Sequence, residues 1–135
     1  MIHIFCFYDT SSGIQSNLAF SNKYKHCNII SFDGTHYVLT EFDREGIHNR
    51  VIDASKLTSL VRGLKYIPSL TAMIVIDVEK RAKTRWKPYI VRSCNELDRY
   101  IAGINIGFTF NPKHLYNKLI KHNNSQYVIL TVWGR

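Results

Sequence analysis

Two strand-like runs joined by an Asp-Gly pair constrain the fold of this chain more than any other feature. Residues 26–32 and 35–42 are rich in β-branched and aromatic side chains, and Asp33 and Gly34 lie between them. Asp-Gly favours a type I′ turn, which needs positive φ at both central residues. The pattern therefore predicts a β-hairpin with a two-residue loop.

A two-residue loop also fixes which residues of the hairpin face each other. The predicted pairs are Phe32 with Thr35, Ile30 with Tyr37, Asn28 with Leu39, and His26 with Glu41. Side chains of directly opposite residues lie about 5 Å apart on one face of the hairpin. A carboxylate so placed can hold one nitrogen of an imidazole and leave the other free to act as a base. The alternative is an exposed cross-strand ion pair between His26 and Glu41.

A predicted helix begins at a cysteine. Ser93 is a favourable N-cap, Glu96 completes a Ser-x-x-Glu capping box, and Gly103 is suited to a left-handed C-cap. The apolar face expected from helical spacing consists of Leu97, Tyr100, Ile101 and Ile104. Cys94 is thus placed in the first turn, beside unpaired backbone N–H groups and the positive end of the helix dipole.

This position would make Cys94 a candidate nucleophile. The helix N-terminus favours the thiolate form, and its N–H groups could bind the oxyanion formed during acyl transfer. The alternative is that Cys94 is a small buried hydrophobic residue.

Length and composition indicate one domain, residues 1–135, with a core of its own. No apolar run approaches the roughly 18 residues of a membrane helix, and residues 1–8 read as a strand rather than a signal peptide. The three cysteines are an odd number without metal-ligand spacing. We therefore expect reduced thiols, a cytoplasmic protein on synthesis, and no metal or other cofactor. A zinc site from His26, Cys27 and His36 fits no common motif.

The positive charge of the chain predicts an anionic partner. The formal net charge is +8, and residues 80–87 contain five Lys or Arg side chains around Trp86. Such a run could bind nucleic acid, but it is more often a solvated loop.

The remaining pattern favours an α+β fold, in which helices pack on a central, mostly antiparallel sheet. Strands are expected at residues 2–8, 49–53, 71–78 and 126–133, and amphipathic helices at 56–66 and 113–122. In the last helix Leu115, Leu119 and Ile120 are expected to face inward.

The order of His26, Glu41 and Cys94 resembles that of the circularly permuted papain-like superfamily, which includes relatives of the NlpC-type cell-wall peptidases. Residues 26–34, His-Cys-Asn-Ile-Ile-Ser-Phe-Asp-Gly, are similar to its histidine strand and turn, and residues 93–97, Ser-Cys-Asn-Glu-Leu, to its cysteine box. The layout is also similar to that of short bacteriophage proteins, in which a Gly-Ile break and an Asn-Pro-x-x-Leu-Tyr helix follow the cysteine helix; here these are residues 103–104 and 111–119.

The resemblance implies a cysteine peptidase or amidase with Cys94 as nucleophile, His26 as base and Glu41 as the group that orients the base. It further implies a peptide or peptidoglycan-like substrate and the context of a bacteriophage. Val38 or Leu39 occupies the place of a second histidine found in the lipid acyltransferase branch, which argues against that branch. The alternatives are an inactive structural component of a phage virion, such as a tail protein in contact with other virion proteins, and a nucleic-acid-binding accessory protein.

Overall fold

The structure, a computed structural model, describes residues 1–10, 23–32, 34–43, 45–81, 93–121 and 125–135. These residues form an α+β fold, as predicted, with one six-stranded sheet in which every pairing of neighbouring strands is antiparallel. The strands are β1 (Ile2–Tyr8), β2 (His26–Phe32), β3 (Tyr37–Asp43), β4 (Gly46–Ile52), β5 (Leu70–Val78) and β6 (Tyr127–Gly134). The helices are α1 (Leu57–Leu64), preceded by a 3₁₀ turn at Ala54–Lys56, α2 (Cys94–Ala102) and α3 (Pro112–Lys121).

The strand order β4-β3-β2-β1-β5-β6 places β1 and β5 inside the sheet. Both strands are almost entirely buried, which agrees with their dense apolar sequences. In the described part of the chain no helix is long and apolar enough to cross a lipid bilayer. Residues 11–22 and 82–92 lie outside the described residues, so most of the basic run at 80–87 is not described.

The helices cover the two faces of the sheet. On one face α1 contributes partly buried side chains to an apolar cluster, namely Leu57, Leu60, Val61 and Leu64. On the other face Leu115 and Leu119 of α3 are fully buried beside Phe5 and Phe7 of β1. Ile120 is 38% exposed, so its predicted inward orientation is wrong. It directly follows Leu119, and on a helix adjacent residues point in different directions.

The hairpin forms, but the predicted two-residue loop and its register are wrong. The last pair of the ladder is Phe32 with Tyr37, and Ile30 faces Leu39. Four residues therefore separate the strands, and the rings of Phe32 and Tyr37 close the ladder with centroids 4.8 Å apart. A shift of two residues leaves every side chain on its predicted face, because strand side chains alternate with period two. Hydrophobic patterning alone could not distinguish the two registers.

The shift separates His26 from its predicted partner Glu41. Backbone pairing of β2 with β3 ends at Ile29 and Thr40, and the same register continued would place Glu41 opposite Asn28. The Asn28 side-chain amide donates a hydrogen bond of 3.0 Å to the Glu41 carboxylate. The first residues of β2 therefore lie beyond the end of the β2–β3 ladder.

Candidate functional site

The cysteine helix packs against the part of the sheet where this ladder ends. Helix α2 contacts both β2 and β3, and Cys94 is its first residue. Gly103 ends the helix with φ of 64°, as predicted, and a Cβ at this position would collide with the Arg81 side chain. The helix thus has the predicted start and end, and Cys94 lies in its first turn.

The predicted capping box does not form. Ser93 occupies the N-cap position with an extended backbone, but its side chain makes no capping hydrogen bond. The Glu96 carboxylate accepts hydrogen bonds from the backbone N–H and the hydroxyl of Thr109, at 2.8 and 2.6 Å, and from Arg99 at 2.7 Å. Glu96 is buried and Thr109 fully so, and this enclosed set of donors holds the carboxylate away from the helix start.

Polar side chains in the first turns of α2 fix the segment that follows the helix. The Asn95 amide donates to the Thr109 carbonyl at 2.6 Å and to its hydroxyl at 2.9 Å. Asn95 is 1% exposed. Together with Glu96 it ties the helix start to Thr109, so the position of Cys94 is determined by a buried hydrogen-bond network.

His26, the first residue of β2, lies within hydrogen-bonding reach of the Cys94 sulfur. Burial tends to lower the pKa of His26, but hydrogen bonding with Cys94 and the negative charges of Cys94, Glu41 and Asp43 outweigh it and raise the pKa above its usual value. The structure therefore brings together two of the three predicted site residues. Glu41 acts on the imidazole through its charge, and its hydrogen bond goes to Asn28.

The environment of Cys94 strongly favours its thiolate form. The largest cause that lowers its pKa is hydrogen bonding from the Cys27 thiol; burial opposes this effect, and His26 adds a hydrogen bond and a positive charge. The Cys27 backbone N–H also donates to the sulfur. As a result the pKa of Cys94 lies well below the ordinary thiol range. Both directions favour a thiolate–imidazolium pair, the state that cysteine nucleophiles use.

Two further groups belong to the site and were not predicted to take part in it. Cys27 is fully buried, and burial is the first cause that raises the pKa of its thiol well above the ordinary range. Asp98, one turn after Cys94, is 1% exposed, and burial together with the charge of Cys94 raises the pKa of its carboxyl. The sequence signal for Asp98 is its i, i+4 spacing from Cys94, which places both residues on one helix face.

A pocket of about 330 Å³ opens beside His26 on the sheet face that α1 covers. Its polar wall includes His26, Asn28, Glu41 and Arg50. Its apolar lining consists of Ile30, Leu39, Leu60, Leu64 and Ile67. A ligand held there would touch the imidazole that pairs with Cys94.

Comparison with protein-family models, curated proteins and solved structures finds no match to this chain. Within the described ranges, no group of three His, Cys, Asp or Glu side chains is arranged to hold a metal ion.

Proposed function

We propose that this protein is a cysteine hydrolase that cleaves amide bonds, with a permuted papain-like arrangement of Cys94 and His26. The observation that carries the proposal is the pairing of a helix-N-terminal thiol with a strand-borne imidazole. Neither group would be charged alone in a largely buried site, because burial disfavours both ions; each stabilises the charge of the other. Such pairing is the activated state of a thiol nucleophile.

In the proposed reaction the Cys94 thiolate attacks the carbonyl carbon of the substrate. The backbone N–H groups at the start of α2 stabilise the developing oxyanion. The His26 imidazolium gives its proton to the leaving amine, and a thioester to Cys94 remains. Neutral His26 then takes a proton from water, which attacks the thioester and releases the acid. Glu41 and Asp43 favour the charged imidazole electrostatically.

The pocket beside His26 supplies a candidate binding site for the substrate. Its lining joins five apolar side chains to the charged groups of Glu41 and Arg50. This combination suits an apolar side chain next to a polar peptide backbone. The net charge of +8 favours an anionic polymer, and bacterial cell-wall peptides in a phage context remain our proposed substrate class.

The contact of His26 with Cys94 favours this proposal over an inert structural component of a virion. Desolvation of an ion-paired thiol and imidazole lowers the stability of a protein. A purely structural component would gain nothing from such a pair.

Incubation of the protein with purified peptidoglycan, followed by quantification of new amine termini, tests the proposal. The wild type and a Cys6→Ser variant should release amines, since Cys6 is buried in the cluster that α1 covers. Cys94→Ser and His26→Ala should release none above background. Equal release by Cys94→Ser would contradict the proposed nucleophile, and no release by the wild type would exclude cell-wall peptides as the substrate class.

A further inference from the structure

Two phenylalanines in the segment between α2 and α3 are exposed to solvent. Phe108 is 53% and Phe110 75% exposed, although Thr109 between them is fully buried. The rings of Phe108 and Phe110 meet edge to face with centroids 4.9 Å apart, and the His114 ring stacks on Phe110 at 5.3 Å. These three rings form one aromatic platform (Phe108, Phe110 and His114). Contiguous exposed apolar surface of this kind is typical of a binding site.

The backbone that carries the platform is held by hydrogen bonds. Thr109 is bound by two buried side chains of α2. The Lys118 ammonium donates to the Phe108 carbonyl at 2.8 Å, and the Phe110 N–H donates to His114 Nδ1 at 3.2 Å. A ligand therefore meets rings that are already ordered, which reduces the entropy cost of binding.

The surface beside the platform is positively charged. Lys118 and Lys121 follow His114 at i+4 and i+7, so all three side chains lie on one face of α3. Residues 99–135 contain five Lys or Arg residues and no Asp or Glu. The last two acidic residues of the sequence are buried in α2. The platform thus adjoins cations, and no acidic side chain from residues 99–135 opposes a bound anion.

We propose that this surface binds single-stranded nucleic acid, with bases stacked on the aromatic platform and backbone phosphates bound by Lys118 and Lys121. His114 covers one face of the Phe110 ring, and the 75% exposure of Phe110 leaves the opposite face open to a base. Lys118 donates two of its three ammonium protons to backbone carbonyls, and the third is available to a phosphate oxygen. Stacking on exposed rings beside cations is the usual way to hold a single strand.

The geometry favours a single strand over a duplex and over a lipid surface. In a duplex the faces of the bases are stacked on each other and are not available to protein rings. A helix that binds a membrane surface turns an apolar face towards the lipid, whereas Leu115 and Leu119 of α3 are fully buried in the core. Neither Cys94 nor His26 belongs to the surface, so the inference goes beyond the proposed hydrolysis and does not depend on it.

Fluorescence anisotropy of a labelled oligothymidylate of about 15 nucleotides, mixed with the whole chain, tests the inference. We expect tighter binding than to a duplex of the same length, and Phe110→Ala should weaken binding at least about fivefold, the loss of one stacked base. Phe110→Tyr keeps a ring and should bind like the wild type. Tyr66→Ala removes a ring that is 80% exposed just after α1; it is the matched control and should leave binding unchanged. An unchanged affinity of Phe110→Ala, or an equal loss in Tyr66→Ala, would overturn the proposal.

The salt dependence of the same binding tests the charged part of the surface. Lys121→Gln should lower the slope of log affinity against log salt concentration by about 0.7, the value for one phosphate contact on a single strand. Lys56→Gln, at an exposed position before α1, is the control of equal charge and should keep the wild-type slope. Equal slopes in the two variants, or no binding by the wild type, would refute the inference. Binding to phosphatidylserine vesicles without binding to the oligonucleotide would refute it in favour of a lipid surface.

Discussion

The two faces of the sheet are covered by helices of different character. Helix α1 presents partly buried apolar side chains, and Cys6, enclosed in the same cluster, has its pKa raised to about 12, mainly by burial. Helix α2 instead buries Asn95, Glu96 and Asp98, and the pKa of Cys94 is lowered. Both thiols are close to the same sheet. The comparison teaches that the hydrogen bonds from Cys27 and His26, which Cys94 has and Cys6 lacks, decide the reactivity of a thiol here.

The buried polar side chains of α2 carry a desolvation cost that the apolar side chains of α1 avoid. Buried polar groups must find partners, and Thr109 supplies them for Asn95 and Glu96. Asp98 Oδ2 has none within the described residues. Helix α2 thus gives less stabilisation through apolar packing, and its polar contacts hold Cys94 in a fixed position.

The largest expected effect is the loss of fast alkylation in Cys94→Ser. Iodoacetamide labelling at pH 7 should fall at least about thirtyfold, since an ordinary thiol is only a few per cent thiolate at this pH. Peptide mapping of the labelled protein measures the rate at each cysteine. Cys6→Ser should label as fast as the wild type, and equal rates at Cys6 and Cys94 in the native protein would abolish the contrast between the faces.

Replacement of the base should have the next largest effect. In His26→Ala, Cys94 loses a hydrogen bond and a nearby positive charge, so the pKa of Cys94 rises. At pH values below the pKa, the variant then has a smaller fraction of Cys94 as thiolate than the wild type. A rise of one pKa unit would slow alkylation at pH 6 by about tenfold. The pH dependence of labelling measures the shift. His48→Ala, which alters a half-exposed histidine paired with Asp43, is the control and should leave the profile near that of the wild type.

The polar network of the α2 face should contribute measurably to stability. Thr109→Val removes the hydroxyl that contacts Asn95 and Glu96, and we expect the free energy of unfolding to fall by about 1 kcal/mol. Urea denaturation measures the change. Thr58→Val, at an exposed position of α1, should stay within about 0.5 kcal/mol of the wild type. A smaller loss for Thr109→Val than for Thr58→Val would show that the network is not important for stability.

The smallest expected effect is that of Glu41→Gln. Because Glu41 raises the pKa of His26 through its charge and not by a hydrogen bond, its loss should slow alkylation at pH 6 only about threefold. If alkylation slowed as much as in His26→Ala, Glu41 would hold the imidazole directly, as the predicted hairpin register implied.

Local periodicity was enough to predict the α+β class and the helix that begins at Cys94. The end of that helix could be predicted because glycine favours the positive φ found at Gly103. The hairpin could be predicted but its register could not. Two registers that differ by two residues bury the same side chains, and the aromatic pair of Phe32 and Tyr37 becomes evident only in the folded hairpin.

Other parts of the site depend on tertiary contacts that no local pattern encodes. The expected capping box failed because Thr109, 13 residues further along the chain, binds Glu96. Cys27 and His26 are neighbours in β2 and point to opposite faces of the strand, as alternation requires. Both influence Cys94 because this end of β2 lies beyond the β2–β3 ladder.

The pairing of His26 with Cys94 is the central claim, and an NMR titration of the His26 imidazole in the wild type and in Cys94→Ser tests it most directly. Loss of the thiolate removes the largest causes that raise the pKa of His26, while burial still lowers it. We therefore expect the His26 pKa to be above its usual value in the wild type and to fall clearly in Cys94→Ser. The same pKa in both proteins would contradict the pairing and, with it, the proposed nucleophile.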